Sequence, residues 1–171
     1  MVIAMTDCFD FDGLGHPVPA HRHLNPDGTS GGWIADSAQV AHTVYVAPSA
    51  QVFGHAIVGG RARLKDNAKV YGYAEVKGSA KLSEQAQVGG HAQVMGWAKI
   101  LGNAQVKDHA KVWEQAVISG NAVLRGVAMA FGDVWISSGE HTDTIFSWSH
   151  AKRISSQALK TVAALDTSIG T

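Results

Sequence analysis

The chain is poor in the residues that staple, kink or charge a protein. Among its 171 residues there is one cysteine, Cys8, so no internal disulfide can form. Such usage suits a reducing compartment, and the cytoplasm is the expected location. Only four prolines interrupt the chain, and charged residues make up 16%, below the usual quarter. Lysine plus arginine number 14 against 14 acidic residues, a formal net charge of zero. Bulk attraction to nucleic acid or to an anionic membrane surface is therefore not expected, while zero net charge leaves room for a local patch. No apolar run approaches the roughly 20 residues of a membrane-spanning helix. The opening MVIAMTDCFD has no basic segment and carries acids early, so a secretory signal is not expected. A phosphate-cradling G-x-x-x-x-G-K and a G-x-S-x-G elbow are also missing. Disorder is excluded from the other side, because 46% of residues are hydrophobic.

What the chain has instead is a period. Steps of six from Ile34 to Ile136 land on eighteen positions, and seventeen of them are Ile, Val or Leu. Two residues before each sits a small residue, as at Ala38, Ala50, Ala56, Ala62 and Ala68. Two residues after comes Gly, Asp or Glu in most repeats, as at Gly54, Gly60, Asp66, Gly72 and Glu84. In the unit A-x-[VIL]-x-[GDE]-x, Ala and the aliphatic residue share one face of a short strand. The Gly or acidic residue then lets the chain turn. A helix needs apolar spacings of three and four, which this period does not supply. Units so short cannot bury their inner faces alone, so they must stack into a solenoid.

The pattern resembles the hexapeptide-repeat, left-handed parallel β-helix superfamily, in which an aliphatic residue is followed four positions later by a small one. Val46 with Ala50 and Val70 with Ala74 fit that motif. The glycine falls two positions after the aliphatic residue, as in V-Y-G-Y-A and I-L-G-N-A, rather than one. That dialect, with the lead-in H-R-H-L-N-P-D-G-T-S-G-G-W-I-A-D-S-A from His21 to Ala38, looks like a poorly characterised bacterial and phage-borne branch often labelled transferases. The resemblance implies an all-β solenoid, a left-handed parallel β-helix of about six triangular coils over residues 32–138. Residues 1–31 are expected to cap one end. Beyond Ile136 the period fails, and 139–171 should hold a loop and a C-terminal helix, with Ile154, Ala158, Leu159, Val162 and Leu165 on one face.

If three hexads make a coil, residues eighteen apart stack, and outward columns follow. His55, Tyr73, His91 and His109 share one corner, and Ser49, Asn67, Gln85, Asn103 and Asn121 another, where an amide ladder is expected. Arg63, Lys81 and Lys99 form a basic column flanked by Arg61 and Lys65, with Asp66 and Glu84 placed to relieve its repulsion. Met95, Trp113 and Phe131 form an outward apolar column beside Trp97, and such a surface usually marks a contact. His16, His21 and His23 cluster before the first coil.

Superfamily members are commonly homotrimers packed side by side, a role that Met95, Trp113 and Phe131 would serve. The first functional expectation is a trimeric scaffold or binding protein. It would hold or sequester a small anionic, phosphate- or nucleotide-bearing ligand at intersubunit grooves lined by Arg61, Arg63, Lys65, Lys81, Lys99 and Trp97. The alternative is a coenzyme-A-dependent acyltransferase in which a corner histidine, His91 or His109, deprotonates the acceptor. A gamma-carbonic-anhydrase-like zinc enzyme is a distant third, since its Arg/Asp/Gln set is not found. No metal is expected, and no cofactor beyond coenzyme A under the alternative.

Overall fold

The computed structural model describes residues 7–148 and 153–154. Within them the chain is a parallel β-solenoid of about six turns, and no described residue is helical. Successive two-residue strands visit three sheets in rotation. Gln39–Val40, Ile57–Val58 and Glu75–Val76 lie on one, and Tyr45–Val46, Arg63–Leu64 and Lys81–Leu82 on the next. The third holds Gln51–Val52, Lys69–Val70 and Gln87–Val88. Pairing advances by one full coil each time, Glu75 opposite Gln93 and Lys81 opposite Lys99. We call these the second, third and first sheets, in the order first, second, third along each coil.

The hexad sets this local structure. Ala68, Val70, Ala74, Val76, Ala80 and Leu82 make one coil of the interior, each with no exposed surface. The residues between them point outward, and their amides bond to the coil above, as from Glu75 to the carbonyl of Ala92 at 2.9 Å. Each strand end must then turn sharply with the next coil stacked on it. At Gly72 an added Cβ would lie 3.0 Å from the backbone of Gly90, and φ is +71°. Four turns carry an acid instead, Asp66, Glu84, Asp108 and Glu114, all with positive φ. Two of these acids use their side chains along the stack. The Asp66 carboxylate accepts the amide of Glu84 at 3.0 Å, and that of Asp108 accepts Gly126 at 3.1 Å. Asp108→Ala keeps the left-handed backbone but loses this acceptor, whereas Asp108→Gly loses the acceptor and relieves the backbone. Thermal melts should therefore rank wild type and D108G above D108A, with D108A about 1 kcal/mol below D108G.

The amino-terminal cap consists of β1 (Cys8–Phe9), β2 (Val18–Leu24) and β3 (Ser30–Ala35), paired antiparallel, with β3 joining Gln51–Val52 in parallel. An irregularity in β2 between Arg22 and Leu24 shifts the phase of the strand and sends His23 and, just past it, Asn25 into the base of the solenoid, where they are 6% and 3% exposed. His23 Nε2 lies 2.9 Å from the carbonyl oxygen of Val44. The Asn25 amide spans Val46, accepting its N–H at 2.8 Å and donating to its carbonyl at 3.2 Å. Asn25 thus stands in for a missing strand beneath Tyr45–Val46, the last strand of its sheet.

Parallel pairing continues past residue 138, where the six-residue count stops. Glu140–His141 adds to the first sheet, Ile145–Trp148 to the second and Arg153–Ile154 to the third. The spacing there changes: Val123 faces Glu140 and Met129 faces Ile145, so the coil is short by one and then two residues. His141 and Phe146, both buried, take the inward slots that aliphatic residues fill elsewhere. The helix expected within 139–171 lies outside the described residues, apart from Arg153–Ile154, which form a strand.

Candidate functional site

The third sheet carries a column of cations. Arg63, Lys81 and Lys99 are register partners on adjacent strands, with Tyr45 paired below and Val117 above. All three basic side chains are exposed, and none makes an ion pair with a described residue. The relief expected from Asp66 and Glu84 is not realised as ion pairing, because the Asp66 carboxylate is taken by a backbone amide. Three like charges held one strand spacing apart, about 4.8 Å, leave a concentrated positive potential on this face.

The structure divides the expected ligand-binding residues between two places. Arg61 and Arg63 border an open hollow of about 470 Å³ with Tyr45 and Thr43. Arg63 and Lys65 share an adjoining one of about 320 Å³ with Tyr45. Trp97 and Lys99 border a third of about 450 Å³ with Gln115. Lys81 lies between these places by register. Tyr45 was missed by sequence reasoning, although it stands eighteen residues before Arg63 and so belongs to the same column.

Met95, Trp113 and Phe131 follow one another on the second sheet and are half-buried. Trp113 and Phe131 stack with centroids 5.2 Å apart and planes 8° from parallel. Trp97, 66% exposed, forms the corner between this apolar column and Lys99. On its apolar side it borders a hollow of about 620 Å³ with Met95, Trp113 and Gln93. Below Met95 the column changes character, since Lys77 pairs with Glu75 at 2.7 Å.

The histidine corner is a stack of rings. His55, Tyr73, His91 and His109 follow at centroid spacings of 5.1, 5.0 and 5.1 Å, the last two contacts within 7° of parallel. Parallel rings present their faces to one another, so their nitrogens run side by side and do not converge on a point as metal ligands must. Among the described residues no group of three His, Cys, Asp or Glu side chains is placed to hold a metal ion. The ring nitrogens of His91 and His109 hydrogen-bond to no described residue, so nothing fixes a tautomer as an acid–base catalyst needs. The cluster His16, His21 and His23 is broken up as well. His21 Nδ1 lies 2.7 Å from Asp36, while His23 is buried against Val44. Of the expected amide ladder, one link is formed, Asn103 donating to Asn121 at 3.0 Å.

A second aromatic file was not anticipated. Trp33, Phe9, Phe11, Phe53 and Tyr71 contact in sequence at centroid distances of 4.9, 4.9, 5.0 and 5.4 Å, fastening the cap to the first sheet. Its signal was present in the eighteen-residue spacing of Phe53 and Tyr71, but Phe9 and Phe11 come from outside the repeat. Tyr71 lies over Gly89, where an added Cβ would meet the ring at 2.3 Å. Burial pushes the Tyr71 phenol above its ordinary range, and the Asp108 charge acts in the same direction.

Fold and surface together define a parallel β-solenoid with a column of cations on one sheet and a short apolar column on the next. Compared with protein-family models, curated proteins and solved structures, the chain matches none of them. Among the described residues no helix is long and apolar enough to cross a membrane.

Proposed function

We propose that the chain is a homotrimeric binding protein of the hexapeptide-repeat type, with left-handed triangular coils, working in the cytoplasm. It holds a small anionic, phosphate-bearing ligand at grooves between subunits. The observation that carries this reading is the registered column Arg63, Lys81 and Lys99, which has no acidic partner among the described residues. An anion on this face relieves the mutual repulsion of cations so placed. The half-buried Met95, Trp113 and Phe131 supply the apolar surface for a neighbouring copy, with Trp97 at the rim. Acyl transfer by His91 or His109 has less support, because neither imidazole hydrogen-bonds to a described residue that would fix its tautomer.

Native mass spectrometry is expected to show three times the 18.0 kDa chain mass, and Trp113→Glu to give the single chain. The R63E/K81E/K99E variant is expected to lose binding of inorganic pyrophosphate while keeping its circular dichroism. A clean monomer would remove the groove, and undiminished pyrophosphate binding by the triple variant would end the anion reading.

A further inference from the structure

The turn that closes the base of the solenoid also raises a wall beside the cationic sheet. It is pinned by the Gly28 amide donating to the Asn25 carbonyl at 2.9 Å. Pro26 and Asp27 on that wall face Thr43, Tyr45, Arg61 and Arg63 across the hollow of about 470 Å³. That size falls within the roughly 300–1,000 Å³ that hold small ligands. Arg63 lies directly over Tyr45 by strand register. Thr43, whose hydroxyl donates to the Gly60 carbonyl, fixes the corner beneath Arg61.

We propose that this hollow is a binding site for a nucleoside monophosphate, formed within a single chain. The inference rests on the anion-binding reading of the third sheet but needs no second copy. Three complementary surfaces meet here. The guanidinium groups of Arg61 and Arg63 make no hydrogen bond or ion pair with any described residue, leaving two forks to grip a phosphate. The half-buried Tyr45 ring offers a face for a flat base, and its hydroxyl bonds to no described residue. Asp27 supplies the opposite charge on the facing wall. Its carboxylate accepts the Thr29 amide at 3.0 Å and the Thr29 hydroxyl at 2.6 Å, which hold it below its ordinary range and keep it ionised.

That carboxylate decides the ligand class. A bare phosphate gains the two arginines but is repelled by Asp27. A ligand with hydroxyls a few ångströms from its phosphate gives Asp27 donors to accept, and a ribose does this while linking phosphate to base. Phosphate, sugar and ring then meet arginine, aspartate and tyrosine respectively.

The test is calorimetric titration of the full chain with AMP, adenosine and inorganic phosphate. AMP is expected to bind about tenfold or more tightly than either fragment. R61Q/R63Q should weaken AMP by about tenfold or more, and by more than K81Q/K99Q does. Asp27→Asn should narrow the preference for AMP over phosphate, since it removes an acceptor from one ligand and a repulsion from the other. All are exposed surface changes, and circular dichroism checks that each variant folds. Phosphate binding as tightly as AMP, or R61Q/R63Q leaving AMP untouched, overturns the proposal. Loss of AMP only in K81Q/K99Q overturns it while leaving the anion-binding reading in place. Binding of neither AMP nor phosphate overturns both.

Discussion

Replacing Gly32 by alanine is expected to detach the amino-terminal cap and lower the melting temperature by roughly 10 °C. Strand β3 crosses the base so closely that a Cβ on Gly32 would lie 1.9 Å from the Ala50 carbonyl oxygen and 2.7 Å from that of Ala47. Both obstacles are backbone, which no rotamer change can clear. The strand must move away, and with it the pairing of Trp33 and Ile34 to Gln51 and Val52. A shift there also opens the contact of Phe9 on Trp33. In a stacked repeat each turn is stabilised by its neighbours, so freeing the lowest turn exposes the edge of the next. Gly59→Ala is the control. Its added Cβ would meet nothing nearer than the Lys77 side chain at 3.9 Å, and its φ is ordinary. Thermal melts should show G59A within about 2 °C of wild type and G32A far below. Equal melting temperatures for G32A and wild type would mean that the cap contributes nothing to the stability of the solenoid.

The interior was legible because every coil repeats one constraint. Of the eighteen aliphatic-phase positions, Val40 alone is not buried, and it lies on the lowest strand of its sheet, with no coil beneath. The outward columns were legible for the same reason, since register is arithmetic once strands pair eighteen residues apart. What side chains do with their neighbours is not arithmetic. Asp66 faces a choice between a lysine in water and a backbone amide one coil above, and the fixed amide wins because no flexible partner must be ordered to meet it. Parallel stacking of His91 on His109 likewise depends on ring orientation, which spacing does not carry.

The ends were hard to read because they occur once. Gly31, His23 and Asn25 have no counterpart eighteen residues away against which to check them, and Gly32, in the slot that Ala50 fills one coil on, reads there as one more small residue. At the other end, His141 and Phe146 fill inward slots, but the shortened corners move them out of phase with Leu124 and Ala130 in the sequence count. A period-based reading therefore stops at Ile136 while the parallel pairing goes on. The nucleoside-phosphate hollow escaped for a related reason. Four of its six lining residues lie on the repeat, but Pro26 and Asp27 come from the cap turn, so no column contains the site.

Removing the Asn25 side-chain amide should cost about 3–5 kcal/mol, more than any other single hydrogen-bonding change at the base. Asn25→Leu keeps approximate volume but strands the amide and carbonyl of Val46, which lie at the open edge of a sheet and lose their hydrogen bonds to Asn25. Two unsatisfied buried backbone groups are each costly because water cannot replace the lost partner. Asn25→Asp separates the two halves of the contact. The carboxylate of N25D still accepts the Val46 amide but faces the Val46 carbonyl, where the asparagine had donated. Only the protonated carboxyl can restore that donor, so its folded-state pKa is raised above the unfolded value near 4. The native state then binds a proton more tightly than the unfolded one, and the stability of N25D is present at low pH and falls as pH rises through the raised pKa. Chemical denaturation of wild type, N25L and N25D from about pH 4 to 8 checks this. N25D should approach wild type at the acid end and N25L at the neutral end. A flat difference between N25D and wild type across that range would show that the Val46 carbonyl does not depend on the Asn25 donor.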